Sequence, residues 1–129
     1  MTDINKILVL GGCRSGKSSH ALQLAEGMGR RRVFVATCVP HDDEMQARVD
    51  RHRRERRDAW NTLEIPVHLA DAIHTNGPAA DVILVDCLTL WLSNLLLQAQ
   101  DVRQIRRRID GLTAAVKSAP CSVILVSNE

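Results

Sequence analysis

Gly11, Gly16, Lys17 and Ser18 fit the spacing G-x-x-x-x-G-K-[ST], in which glycines let backbone N–H groups turn inward around a polyphosphate. Lys17 is then placed to reach the β- and γ-phosphates, and Ser18 to offer an oxygen to Mg²⁺. The whole segment Gly11, Gly12, Cys13, Arg14, Ser15, Gly16, Lys17 and Ser18 is a candidate phosphate-binding loop for ATP or GTP. Asp86 ends the apolar run Val82-Ile83-Leu84-Val85. Downstream of such a loop, a carboxylate there orients Mg²⁺ or its water, so Ser18 and Asp86 form the candidate metal pair. Aspartate at a strand end also has an ordinary capping role. His52 is the third chemical candidate. It shares a helical face with Met45, Val49 and Arg56, and Arg48 and Arg56 stand one turn to either side. A solvated amphipathic helix accounts for the charges of this stretch, but not for a histidine on its inward stripe. His20, His41, His68 and His74 lack that setting.

These residues require a strand, a loop and a helix in sequence. Ile7 to Leu10 predicts a buried parallel strand, and Ala21, Leu22, Ala25 and Met28 recur at helical spacing after the loop. Gly27 and Gly29 bracket the helix end, and the arginines at 30–32 read as a cap on its negative pole rather than a nucleic-acid patch. Val33 to Thr37 predicts a second strand whose carboxyl edge lies near the triphosphate. Past Pro40, Asp42-Asp43-Glu44 opens a helix to about Arg57. Between 42 and 58, six acids (Asp42, Asp43, Glu44, Asp50, Glu55, Asp58) face six arginines (Arg48, Arg51, Arg53, Arg54, Arg56, Arg57), so the run is no polyanion stripe.

Trp60 to Ile65 reads as a short extended piece, residues 67–74 as a helical turn and 75–78 as a loop. Val82 to Asp86 is the third clear strand, and Ser122 to Val126 the fourth. Between them, Leu88, Trp91, Leu92 and Leu95 mark one apolar helix face, and Val102, Ile105, Ile109, Leu112 and Val116 another, ended by Pro120. The pattern predicts one domain over 1–129 with a three-layer α/β fold and a mainly parallel sheet, in the P-loop NTPase class on its RecA-like branch. The strand at 7–10 is expected inside the sheet, not at its edge.

The 129 residues suffice for a real core. Hydrophobic residues make up 45% and aromatics 2%, so that core must be aliphatic. A net charge of +2 argues against a nucleic-acid partner. No signal peptide is evident, and no apolar run approaches the roughly 20 residues of a membrane span. Cys13, Cys38, Cys87 and Cys121 show no C-x-x-C spacing, which fits free thiols in a reducing cytoplasm. Cys38, Cys87 and Cys121 read as small core residues.

The order of several blocks resembles a known family. Gly-Gly-Cys-Arg-Ser-Gly-Lys-Ser at 11–18, Val-Ala-Thr at 35–37 and Asp-Asp-Glu-Met at 42–45 come first. Arg48-Val49, His52-Arg53, Trp60 and Leu63-Glu64 follow, then Val-Asp-Cys-Leu-Thr at 85–89, Trp91, Asn-Leu-Leu at 94–96 and Val-Ser-Asn-Glu at 126–129. Over essentially its whole length the chain resembles the bifunctional adenosylcobinamide kinase / adenosylcobinamide-phosphate guanylyltransferase of cobalamin biosynthesis. The resemblance implies phosphorylation of the aminopropanol hydroxyl of adenosylcobinamide by ATP or GTP, then transfer of GMP from GTP onto that phosphate. It makes His52 the residue that carries GMP covalently. It puts nucleotide contacts at 11–18, Ala36, Thr37, Cys38, Arg53, Arg54, Glu55, Arg56, Glu64 and Asp86, and it implies a homotrimer.

Arg51 stands where some members have a second histidine, and Asp86 where others have glutamate. The family continues past Glu129, so the chain is expected to be truncated, with one sheet edge uncovered or covered by an oligomer. Two readings from the residues stay open beside this one. They are a P-loop small-molecule kinase without a covalent intermediate, and a nucleotide-binding module without turnover.

Overall fold

Where apolar residues run continuously or alternate, the chain forms strands, and all of them are parallel. The computed structural model describes residues 3–12, 16–56, 59–98 and 101–128. Cys13, Arg14, Ser15, Arg57 and Glu129 lie outside the described residues. The strands are β1 (Lys6–Gly11), β2 (Arg32–Ala36), β3 (Asn61–Glu64), β4 (Val82–Asp86) and β5 (Ser122–Asn128). Their order across the sheet is β1-β5-β4-β2-β3. Among the described residues five α-helices connect them, two of them between β4 and β5: α1 (Lys17–Glu26), α2 (Asp43–Arg56), α3 (Leu69–Asn76), α4 (Leu88–Leu97) and α5 (Val102–Ser118).

The period of two along each strand divides the sheet into two apolar faces. Val82 and Leu84 of β4, Ile124 and Val126 of β5, and Val9 of β1 pack with Ala21 and Ala25 of α1. The alternate residues Ile83, Val85 and Val123 pack with Leu69 and Ile73 of α3, Trp91 and Leu95 of α4, and Leu112 and Ala115 of α5. The fold is therefore α/β in three layers, with α1 on one face and α3, α4 and α5 on the other. Each fully buried Ile, Leu or Val adds about 1.5–3 kcal/mol relative to exposure. α2 is the exception among the helices, since it buries no residue.

β1 departs from expectation. It pairs with β5 alone and stands at the sheet edge rather than inside it. Ile7 and Val9 face α1, whereas Leu8 and Leu10, each 53% exposed, face away from it. A run of apolar residues signals a strand equally well with one neighbour or two. The α5 stripe departs in the same way. Leu112 is buried, but Ile109 and Val102 are exposed.

Helix ends follow local chemistry. Asp42 Oδ1 accepts from Met45 N at 2.7 Å to start α2. At α5 the Asp101 carboxylate accepts from Gln104 N at 2.8 Å while Gln104 Oε1 accepts from Asp101 N at 3.3 Å, a capping box. Arg32 donates to Glu26 O and Gly29 O where α1 ends. At the amino end of β4, Asp81 Oδ1 accepts two bonds from the Arg31 guanidinium, and Oδ2 accepts from Arg30 N and Arg31 N. This pairing holds the Asp81 carboxyl at about 2, chiefly through the Arg31 side chain. Gly29, at φ +150°, lies so close that an added Cβ would sit 2.4 Å from Asp81 Cβ.

Candidate nucleotide site at the carboxyl edge of the sheet

In parallel α/β sheets ligands gather beyond the carboxyl ends of the strands. β1 delivers Gly11 and Gly12 to that edge, β2 delivers Ala36 and β4 delivers Asp86. Gly16 caps α1 with φ +78°, a left-handed conformation that glycine adopts without a Cβ penalty. The α1 amino terminus then points the positive end of the helix at this edge. Lys17 Nζ turns back to donate to Gly12 O at 3.0 Å. Ser18 Oγ donates to Asp86 Oδ2 at 3.3 Å, joining the two ends of the candidate metal pair.

A cavity of about 450 Å³ opens beside this pair. Ser18, Ser19, Leu22 and Glu26 of α1 form one wall, and Phe34, Ala36 and Cys38 form the floor along β2. Arg48, Val49, His52, Glu55 and Arg56 of α2 form the opposite wall, and Ala59, Trp60, Asp86 and Leu90 complete it. His52 is exposed but faces this cavity, so the α2 stripe is directed at a site rather than at a core.

Charge in the cavity is only partly compensated. Burial pushes the Asp86 carboxyl above its ordinary value, opposed by the Ser18 hydrogen bond and the charges of Lys17 and Arg56. Burial likewise raises the Cys38 thiol, assisted by Asp86 and Glu64. The Arg56 guanidinium lies 3.6 Å from the centroid of Phe34, whose ring meets Trp60 edge-on at 6.0 Å. Arg56 Nε has no hydrogen-bond partner. Burial lowers the Arg56 guanidinium, and Asp86 partly offsets this. A half-buried cation with a free donor, fixed on an aromatic face, suits a phosphate oxygen.

Of the candidate site residues, Ser18, Ala36, Cys38, His52, Glu55, Arg56 and Asp86 therefore line one cavity, together with Arg48, Val49 and Trp60, which the sequence places beside them. Gly11, Gly12, Gly16 and Lys17 are not among the lining residues; Lys17 begins α1 beside Ser18, and its charge acts on Asp86. Arg53 and Glu64 do not line it. They pair with each other at 3.5 Å, each 55% exposed. Arg54 is exposed and also outside the lining. Thr37 is fully buried, and its hydroxyl engages the Cys87 backbone. Cys13, Arg14 and Ser15 fall outside the described residues.

Leu22, Glu26, Phe34, Ala59 and Leu90 line the cavity without having been singled out. Their signals were present but partial: Ser18, Leu22 and Glu26 repeat every four residues, and Phe34, Ala36 and Cys38 every two. Period gives a face, not what lies opposite it.

The Ser18 hydroxyl and Asp86 carboxylate are hard oxygen donors suited to Mg²⁺, which keeps several waters and takes one or two carboxylates plus phosphate. Among the described residues there is no cluster of three or more His, Cys, Asp or Glu able to hold a metal. No described helix is long and apolar enough to cross a membrane.

Comparison with known proteins places these features in context. A profile described as cobinamide kinase / cobinamide phosphate guanyltransferase matches residues 7–129. The bifunctional adenosylcobalamin biosynthesis protein CobP of Pseudomonas aeruginosa is 43% identical over 122 residues, covering 95% of this chain and 70% of its own length. The bifunctional adenosylcobalamin biosynthesis protein CobU of Escherichia coli is 38% identical over 136 residues, covering 95% and 74%. The protein of the same description from Salmonella typhimurium is 38% identical over 135 residues, with the same coverage.

Proposed function

The chain belongs to the cobinamide kinase / cobinamide phosphate guanyltransferase family, and on that premise we propose that the cavity between α1 and α2 serves two phosphorus transfers. In the first, the aminopropanol hydroxyl of adenosylcobinamide attacks the γ-phosphorus of ATP or GTP. The bond to the β-phosphate breaks, the nucleoside diphosphate leaves and the hydroxyl proton passes to solvent. Lys17 and the α1 amino terminus hold the β- and γ-phosphates while charge shifts onto the leaving group. Ser18 and Asp86 would hold Mg²⁺, which when bound neutralises phosphate charge.

In the second transfer, a neutral ring nitrogen of His52 attacks the α-phosphorus of GTP. The bond to the β-phosphate breaks and its electron pair leaves with pyrophosphate, while the other ring nitrogen gives up its proton. A phosphate oxygen of adenosylcobinamide phosphate then attacks the same phosphorus. The P–N bond breaks, the imidazole regains a proton, and adenosylcobinamide-GDP is formed. Arg48 and Arg56 stabilise the charge on the α-phosphate oxygens during both attacks.

One observation carries this reading: His52 and Arg56 line the same cavity as the Ser18–Asp86 pair. A histidine placed for structure alone has no reason to share that space. The test separates the two half-reactions. His52→Asn is expected to keep phosphorylation of adenosylcobinamide within a few-fold and to lose transfer of labelled GMP, whereas Lys17→Ala loses phosphorylation. If His52→Asn transfers GMP at the normal rate, the covalent route is wrong.

A further inference from the structure

We infer that the Thr37 side chain, supported by Asn94, positions Asp86 opposite Ser18 and makes no contact with the nucleotide. The inference rests on the reading of Ser18 and Asp86 as the metal pair. Ala36 and Cys38 line the cavity, and the alternation of an extended chain turns Thr37, between them, to the other side. Thr37 is completely buried there.

Its hydroxyl donates to Cys87 O at 2.8 Å and accepts from Cys87 N at 2.9 Å. Its backbone N–H donates to Asp86 O at 3.1 Å. One residue thus grips the backbone immediately after the Asp86 side chain at three points. A hydroxyl with its proton and one lone pair committed to a buried backbone is not available to a ligand beyond the strand edge.

Thr37 is itself held. Asn94 Nδ2, on α4, donates to Thr37 O at 2.8 Å and to Pro66 O at 3.0 Å, tying the chain after β2 to the segment after β3. The Ser18–Asp86 contact of 3.3 Å is long for a hydroxyl–carboxylate hydrogen bond. The carboxylate is therefore aimed more by its backbone than by Ser18. Residues that orient a metal ligand without touching the metal change its affinity by about 10–100-fold when removed.

The experiment measures Mn²⁺ binding by electron paramagnetic resonance in the presence of β,γ-imido-GTP, alongside binding of that analogue without metal. Thr37→Val, which keeps shape and removes the hydroxyl, is expected to weaken Mn²⁺ binding about 10-fold or more while metal-free analogue binding is unchanged. Thr37→Ser is expected to restore Mn²⁺ affinity to within about twofold of the parent, since the hydroxyl returns. Asn94→Ala, which leaves both Thr37–Cys87 bonds in place, is expected to show a smaller loss of the same kind, and it carries the test should Thr37→Val fail to fold. Unchanged Mn²⁺ affinity in a folded Thr37→Val or Asn94→Ala protein overturns the inference, and so does a fall in metal-free analogue binding. Asp86→Asn distinguishes the two levels. If it loses Mn²⁺ while Thr37→Val does not, only the positioning role is lost. If Asp86→Asn also binds Mn²⁺ normally, the metal-pair reading falls with it.

Discussion

Asp81 and Asp86 bracket β4, and the two ends of that strand treat a carboxylate in opposite ways. At the amino end, both Asp81 oxygens are saturated by Arg31 and by backbone N–H groups, and the carboxyl is held at about 2. At the carboxyl end, burial pushes Asp86 upward and Ser18 compensates it through one bond of 3.3 Å. The first arrangement leaves nothing for a ligand to add. The second keeps a charged group under-compensated where a cation and a polyphosphate would complete it, the usual signature of a working site. The contrast separates the end of the sheet that holds the fold from the end proposed to do chemistry.

The largest effect is expected at the open end. Asp86→Asn removes a buried charge with little change in shape. Phosphate transfer should fall on the order of 10²–10³-fold, the size typical of one lost electrostatic contact, while the melting temperature holds or rises. Paired turnover and thermal denaturation measurements check this. A variant that melts lower yet turns over normally would reverse the comparison.

Asp81→Asn should show the mirror image, a lower melting temperature with turnover per folded molecule intact. The two groups also differ in sign with pH. The folded Asp81 value lies below its ordinary 3.8, so its stabilising contribution is full above that value and is lost as pH falls toward about 2. The Asp86 value is raised, so its contribution is present below the ordinary value of 3.8 and is lost as pH rises through the folded value. Acid unfolding between pH 4 and 2 should thus be shallower in Asp81→Asn than in the parent, as read by circular dichroism; equal slopes would remove Asp81 from the account.

The smallest effect on stability belongs to Arg53→Ala. Its pair with Glu64 is 3.5 Å long and more than half exposed at both ends, which limits the change to less than about 1 kcal/mol by denaturant titration. A higher KM for GTP in this variant, with stability unmoved, would mark Arg53 as a nucleotide contact.

Both ends of β4 could be read in advance because an apolar run flanked by two aspartates leaves its boundaries little freedom. The helix α1 was legible for a similar reason, since the helical period of Ala21, Leu22 and Ala25 begins just past Gly16. β3 was visible only as an extended piece, because Asn61-Thr62-Leu63-Glu64 carries one large apolar residue. The edge position of β1 could not be read, since strand order depends on where crossovers land rather than on composition. Leu8 and Leu10 therefore look like core residues and are exposed.

At the site, His52 and Arg56 followed from helical spacing. Phe34 and Trp60 did not, because their part is to form a floor for residues distant in sequence. Thr37 was grouped with Ala36 and Cys38 as one block of contacts, whereas strand alternation divides the three between opposite faces.

The central claim is that the cavity between α1 and α2 brings His52 to the α-phosphate of a nucleotide held by the loop at 11–18. Mass spectrometry of the protein after incubation with GTP and Mg²⁺ tests it directly. The account predicts a gain of one GMP, lost in acid and stable in base as a phosphoramidate is, located on His52 and absent from His52→Ala. An adduct that persists in His52→Ala, or that maps to another residue, would contradict it.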